Sequence, residues 1–153
     1  MNEIRLVIAD DHPIYREGLR RVIERDALLR VVAEAGDGEE AVAQIEFCNP
    51  DVAVLDLDMP KLDGFGVART LRDKHLQIVI IFLTMHKEED LFNEAMNLGA
   101  KGFLVKDSAV LDIVHAIRAA ASGNDFISPQ LSSYLIRRAR RSEEGPHADA
   151  AEP

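Results

Sequence analysis

Residues 52–60 read VAVLDLDMP, a short apolar run that leads into two carboxylates, Asp56 and Asp58. The run Val52–Leu55 is β-branched at two positions, which is typical of a central strand buried on both faces of a parallel sheet. In an open α/β sheet, ligands bind at the carboxyl ends of the strands, where loops converge on one crevice. Asp56 therefore marks a candidate site as well as the end of a strand.

The same order, a strand followed by a helix, recurs along the chain. The other strand-like runs are Ile4–Ala9, Leu29–Ala35, Ile78–Leu83 and Gly102–Val105. Helical patterns follow the five strands at about Pro13–Arg25, Glu39–Phe47, Gly64–Asp73, Glu88–Leu98 and Ala109–Ala121. Ser108 is the predicted N-cap of the last of these helices. Five such units predict an α/β fold, a five-stranded parallel sheet with helices on both faces.

The chain beyond the fifth unit, residues 125–153, is expected to lie outside this domain of residues 1–124. Pro129 favours the start of a short linker helix, Gln130–Arg141, which ends in a cluster of arginines. Ser142–Pro153 has no large apolar residue and is predicted to be a disordered tail.

The composition excludes several classes of protein. The net charge is −9 over 153 residues, which argues against binding nucleic acid through an overall positive field. Cys48 is the single cysteine, so neither an internal disulfide nor a cysteine-based zinc site can form. The N-terminus lacks the apolar region of a signal peptide, and no apolar run could span a bilayer. These features predict a cytoplasmic protein without a membrane segment.

Five polar residues stand at the predicted carboxyl ends of four strands: Asp10, Asp11, Asp56, Thr84 and Lys106. Brought to one edge of a sheet, three carboxylates would form a site for a divalent metal next to a nucleophilic carboxylate. That combination, with a hydroxyl and an ammonium group beside it, indicates an aspartate that accepts a phosphoryl group.

The motifs at these strand ends resemble a known family. They are Asp10-Asp11, residues 56–60 with Asp63-Gly64, Leu83-Thr84 and residues 99–107. In this order, each after a predicted strand, they resemble the receiver domain of two-component response regulators, from about Ile4 to Ser122. The resemblance implies a flavodoxin-like (CheY-like) fold. Residues 83–86, 99–107, 116–118 and 127–129 further resemble the NarL/FixJ (LuxR-type) branch of the family.

The resemblance assigns a role to each carboxylate. Asp56 is the implied phosphoacceptor, whose carboxylate would form an acyl phosphate. Asp10 and Asp11 would hold Mg²⁺ together with Asp56 and the backbone carbonyl of Asp58. Catalytic turnover is not implied: the family carries out phosphotransfer to itself, followed by slow hydrolysis of its own acyl phosphate.

The remaining implied residues bind the phosphoryl group or respond to it. Lys106 and Thr84 would contact its oxygens, and Phe103 would be the aromatic residue of the conformational switch. Tyrosine is common in that place, and a phenyl ring, with no hydroxyl to satisfy, is expected to favour the buried position even without phosphate. His86 is a secondary candidate that would tune hydrolysis, whereas His12, which also flanks the site, is expected to face solvent.

The resemblance also implies partners. A sensor histidine kinase would donate the phosphoryl group, and phosphorylation would promote a homodimer. In this branch a helix-turn-helix domain follows the receiver and regulates transcription. That domain is absent from this chain, so the chain alone is not expected to bind DNA.

Three other functions fit part of the pattern. A phosphohydrolase of the haloacid-dehalogenase type would use Asp56 as nucleophile and Asp58 as general acid and base. Against it, Asp56 follows the third strand instead of the first. A flavodoxin-like cofactor binder would need a phosphate-binding loop after the first strand, where Asp10 and Asp11 would repel a phosphate. The third alternative is a docking module that is not phosphorylated.

Overall fold

Six strands form one parallel sheet in the order β2-β1-β3-β4-β5-β6. The computed structural model describes residues 2–151, and the side chains of residues 2–142. The strands are β1 Ile4–Ala9, β2 Leu29–Ala35, β3 Val52–Asp56, β4 Val79–Thr84, β5 Gly102–Val105 and β6 Phe126–Ile127. The predicted five-stranded parallel fold is therefore confirmed, and one short strand is added at the edge, where Gly102 pairs with Phe126 and Phe103 with Ile127.

Helices cover both faces of this sheet. They are α1 Pro13–Glu24, α2 Gly38–Cys48, α3 Gly64–Asp73, α4 Glu89–Asn97, α5 Lys106–Ala121 and α6 Ser132–Ala151. Leu6 and Ile8 of β1 pack in the same cluster as α1 and α5, while Val7 and Ala9 pack with α2, α3 and α4. Successive strand residues point to opposite faces, so each strand contributes to both halves of the core. Within the described region, no helix is both long and apolar enough to cross a membrane.

The loop between β3 and α3 lies close against the end of β3. A Cβ atom added at Gly64 would lie 2.6 Å from the carbonyl oxygen of Asp56, a distance that real Cβ atoms essentially never reach. Asp63, at the N-cap, accepts a hydrogen bond from the amide of Gly66 at 2.7 Å. The start of α3 is thereby fixed directly beside Asp56.

The start of α5 differs from the sequence prediction. Ser108 is not its N-cap, because the helix already begins at Lys106 and Ser108 lies within its first turn. In the described part of the chain, no side chain caps the helix at Val105, the residue before it, whose buried amide donates a hydrogen bond to the hydroxyl of Ser128 at 2.9 Å. Lys106 is the first residue of α5, where side chains point back toward the helix N-terminus and the strand ends.

The C-terminal helix also differs from its prediction. A 3₁₀ turn occupies Pro129–Leu131, and α6 runs from Ser132 to Ala151 instead of ending at Arg141. The disordered tail over residues 142–153 stays a prediction, and residues 152–153 lie outside the described part. The division of the chain at residue 124 stays a prediction.

The first turns of α6 pack on α4. The Tyr134 ring lies 6.1 Å from the ring of Phe92, measured between centroids. Its hydroxyl donates a hydrogen bond to the carbonyl of Lys87 at 2.5 Å. Arg137 and Arg141 both contact a carboxylate oxygen of Glu89, at 3.1 and 3.0 Å. The segment after β6 therefore covers part of α4 and holds the loop that precedes it.

Candidate functional site

The carboxyl ends of β1, β3, β4 and β5 meet at one edge of the sheet, because these strands are neighbours. Asp10 follows β1, Asp56 and Thr84 end β3 and β4, and Lys106 follows β5. The ammonium nitrogen of Lys106 lies 2.7 Å from Asp10 Oδ2 and 3.1 Å from Asp56 Oδ2. The structure thus brings together residues that lie up to 96 positions apart in the chain.

This cluster is buried, although its members are polar. Asp10, Asp56, Thr84 and Lys106 are all at most 6% exposed, and Asp11 lies at the mouth with its side chain 32% exposed. Buried charges need partners, and one ammonium group cannot balance three carboxylates. With the carboxyl groups ionised, the cluster carries a net charge of about −2, which matches a divalent cation.

The donor atoms in the cluster fit a magnesium ion. Asp10, Asp11, His12 and Asp56 each offer one ligand atom, and these atoms lie within 4.8 Å of one another. Asp11 Oδ1 is buried and accepts no well-aligned hydrogen bond from the described residues, although His12 Nδ1 lies 3.1 Å away. A bound cation would satisfy it. Mg²⁺ prefers oxygen ligands and keeps several waters, so the three aspartates suit it.

His12 stands at the outer rim of this cluster. Its side chain is 64% exposed, as the sequence predicts, yet its Nδ1 lies 3.1 Å from both Asp10 Oδ1 and Asp11 Oδ1. An imidazole nitrogen is a poor ligand for Mg²⁺ and suits softer metals. His12 therefore screens the carboxylates from one side without being needed in the ligand set.

The environment of Asp56 alters its acidity. Burial, and then the nearby carboxyl group of Asp10, raise the pKa of Asp56 to about 6, although Lys106 opposes the shift. Burial also opposes the charge on Lys106, but the hydrogen bond to Asp10 and the attraction of both carboxylates outweigh it and raise the pKa of Lys106. The lysine stays charged at neutral pH, and the raised pKa means that Asp56 ionises near pH 6 and is largely charged at pH 7.5.

Thr84 and its neighbours form the side of the site on β4. The Thr84 hydroxyl oxygen accepts a hydrogen bond from the amide of His86 at 2.9 Å. The imidazole of His86 lies 3.0 Å from the side chain of Asp58, while the amide of Asp58 donates to Asp56 Oδ1 at 3.2 Å. The loops after β3 and β4 are therefore bridged across the mouth. That the Asp58 carbonyl is a metal ligand stays a prediction.

Phe103 is fully buried, in the position expected for a ring without a hydroxyl. It packs edge-on against Phe92 of α4, with the ring centroids 5.7 Å apart and the planes at 87°. Phe92 in turn contacts Tyr134 of α6. Three aromatic rings thus connect β5, through α4, to the C-terminal helix. The switch role of Phe103 stays a prediction.

Two residues of α1 contact the site, although no pattern in the sequence marked them as site residues. Arg16 donates a hydrogen bond to the carbonyl oxygen of Asp10 at 2.5 Å and pairs with Glu34 at 2.9 Å. It therefore ties the loop that carries Asp10 to the end of β2. Tyr15 contacts Lys106 from across the sheet edge. Sequence periodicity places both residues on α1, but only the order of the strands puts α1 next to α5.

The fold and the site define a parallel α/β protein with a buried acidic pocket and one lysine at the carboxyl edge of its sheet. The family of response regulator receiver domains matches residues 6–118, and the chain belongs to this family. The resemblance on which the sequence interpretation rested is confirmed.

Relatives with similar sequences are transcriptional regulators of the LuxR type. The chain is 34% identical over 140 residues to the transcriptional regulatory protein DegU of Brevibacillus brevis, covering 92% of this chain and 59% of DegU. It is 38% identical over 139 residues to the "Probable transcriptional regulatory protein NarL" of Mycobacterium tuberculosis, covering 91% of this chain and 64% of NarL. The chain thus spans about three fifths of the length of these two relatives.

A solved structure supports the same assignment. A two-component response regulator of the LuxR family from Aurantimonas superposes with a TM-score of 0.84 at 35% identity. The match covers 90% of this chain and 99% of that one. The LuxR-type branch predicted from the second half of the sequence is therefore confirmed.

Proposed function

We propose that this chain accepts a phosphoryl group on Asp56 from a sensor histidine kinase, in a reaction that needs Mg²⁺. The single observation that carries the proposal is the buried Asp56 carboxylate, held 3.1 Å from Lys106 in a pocket whose neighbouring carboxylates fit a divalent cation. Asp10, Asp11, Asp56 and the Asp58 carbonyl would hold the ion. Bound there, Mg²⁺ would neutralise charge on the transferring phosphoryl group.

The chemistry is a displacement at phosphorus. A carboxylate oxygen of Asp56 forms a bond to phosphorus while the bond between phosphorus and the donor nitrogen breaks, and the leaving imidazole keeps the electron pair. Lys106 stabilises the negative oxygens of the transferring group as a flexible point charge. Thr84 would donate its hydroxyl to a phosphoryl oxygen in place of its weak 3.4 Å contact with the carbonyl of His86. The product stays attached to the protein, so the chain is a phosphoacceptor and not a turnover enzyme.

The proposal extends to output and location. Phosphorylation would shift an existing equilibrium between two conformations, promote a homodimer and control transcription through a helix-turn-helix domain outside this chain. The single cysteine, Cys48, is free, which fits a reducing cytoplasm.

The position of Asp58 does not favour a haloacid-dehalogenase mechanism, since its side chain is 65% exposed and faces His86 instead of the pocket.

Intact-mass measurement with a small phosphodonor, acetyl phosphate, tests this function. With Mg²⁺ we expect a mass gain of about 80 Da, one phosphoryl group, and with EDTA none. Asp56→Asn should form no adduct. Asp58→Asn is its matched control and should still form one, because the Asp58 side chain lies outside the pocket and only its backbone carbonyl is a proposed ligand. No adduct in the wild type despite bound Mg²⁺ would contradict the function and favour a docking module. Rapid, continuous release of phosphate without an accumulating adduct would instead indicate a hydrolase.

The rate of adduct formation should depend on pH, because only ionised Asp56 is nucleophilic. With the pKa of Asp56 raised to about 6, the initial rate at low Mg²⁺ should rise about tenfold per pH unit below that value and level off above it. Higher Mg²⁺ adds positive charge beside the carboxylate and should move the midpoint to lower pH. A rate that stays constant between pH 5 and about 7.5 would contradict this assignment.

A further inference from the structure

Tyr15, on the first turn of α1, contacts Lys106 at both ends of the lysine. The ammonium nitrogen lies over the Tyr15 ring, 4.6 Å from its centroid. The Tyr15 hydroxyl donates a hydrogen bond to the backbone carbonyl of Lys106 at 3.2 Å. One aromatic side chain from another helix therefore holds both the charged group and the backbone of this residue.

The ring is one of several groups that surround the ammonium. Asp10 and Asp56 contact it from the pocket at 2.7 and 3.1 Å, and the imidazole of His12 lies 3.5 Å away. With the ring in place, the lysine side chain is only 5% exposed. A cation shielded from water over an aromatic face is attracted more strongly than an exposed one.

We propose that Tyr15 is a positioning residue for Lys106, whose ring and hydroxyl keep the lysine ammonium beside Asp56 and ready for a phosphoryl group. The proposal rests on the proposed phosphoacceptor function. A lysine side chain loses much conformational entropy when it is ordered. Because the Tyr15 ring already orders Lys106 before the reaction, less entropy is lost when the phosphoryl group arrives.

The Tyr15 hydroxyl is suited to this role at all ordinary pH values. Burial, followed by the carboxylates of Asp10, Asp56 and Asp107, raises the pKa of Tyr15 above its usual value. The hydroxyl therefore stays protonated and can donate to the Lys106 carbonyl. The ring it anchors stays neutral, so it adds no further negative charge to the site.

Two substitutions distinguish the contribution of the Tyr15 ring from that of its hydroxyl. Tyr15→Leu removes both contacts and should slow formation of the acetyl phosphate adduct about tenfold. Tyr15→Phe keeps the ring and should remain within about threefold of the wild type. Urea unfolding of each variant would show that the rates are compared between folded proteins. A wild-type rate in Tyr15→Leu would overturn the proposal.

A double-variant cycle tests whether Tyr15 acts through the lysine. In a Lys106→Met background, where the rate is already low, Tyr15→Leu should slow the reaction by less than about twofold. If Tyr15 had only a packing role, the substitution would slow both backgrounds by the same factor. That equal loss would overturn the positioning role.

An NMR readout tests the contact without any reaction. The aromatic ring should shift the side-chain methylene proton signals of Lys106 upfield in the wild type and in Tyr15→Phe, and the shift should vanish in Tyr15→Leu. Absence of the shift in the wild type would overturn the proposal. A wild type that shows the shift but forms no adduct would overturn the proposed function, and the role of Tyr15 in it, while leaving the contact established.

Discussion

Asp56→Asn is expected to form no phosphoryl adduct and, without metal, to be more stable than the wild type at pH 7.5. The first effect follows because an amide cannot act as the nucleophile. The second follows from the pKa of Asp56, which is raised from 3.8 to about 6. The folded state binds this proton more tightly than the unfolded chain, so the free energy of unfolding falls as pH rises through that window. The free energy of unfolding of the wild type therefore falls by about 1–3 kcal/mol between acidic and neutral pH, whereas that of the asparagine variant does not fall for this reason.

Urea unfolding in EDTA, combined with intact mass after acetyl phosphate treatment, would measure both effects of Asp56→Asn. The difference in stability should shrink at pH 4.5, where Asp56 is protonated in the folded state. Mg²⁺ should stabilise the wild type more than the variant, because ligands favour the state that binds them. An adduct of unchanged yield in Asp56→Asn would assign the phosphoacceptor to another residue. A variant less stable than the wild type in EDTA at pH 7.5 would contradict the raised pKa.

Phe92→Ala is expected to lower the free energy of unfolding by about 3–5 kcal/mol. Phe92 is fully buried and joins Phe103 on one side to Tyr134 on the other. Truncation would remove its buried surface and leave a cavity between β5, α4 and α6 that these elements cannot easily close. Urea unfolding at pH 7.5, compared with the wild type, would measure the loss.

Phe47→Ala is the matched control, since the Phe47 side chain is 88% exposed. It should change the free energy of unfolding by no more than about 0.5 kcal/mol. If Phe92→Ala proves too unstable to study, Phe92→Leu preserves most of the volume and should cost less. Equal effects of the two alanine substitutions would contradict the packing described for α4.

Most of the fold follows from the local pattern of the sequence. The run Val52–Leu55 ends in Asp56 as expected, and the β–α alternation places the polar strand ends on one edge. The strands could be predicted because parallel strands buried on both faces are continuous apolar runs in the sequence. The sixth strand escaped prediction because Phe126–Ile127 has only two residues, and a run so short forms no periodic signal.

The errors at the helix ends have a different origin. Ser108 has the right chemistry for a cap, but the helix already begins at Lys106, directly after a strand residue, Val105, that bonds to Ser128 from 23 positions away. Propensity describes one segment at a time, so it cannot foresee a partner that arrives from another part of the chain.

The sequence by itself determined the α/β class, the family and the set of polar residues at the strand ends, because periodicity and motif order are local properties of the chain. Only the tertiary structure decided how these residues affect one another. The raised pKa of Asp56, the ring of Tyr15 against Lys106 and the aromatic contacts from Phe103 to Tyr134 all depend on distances between separate elements. Electrostatic and packing energies vary steeply with such distances, which sequence spacing does not specify.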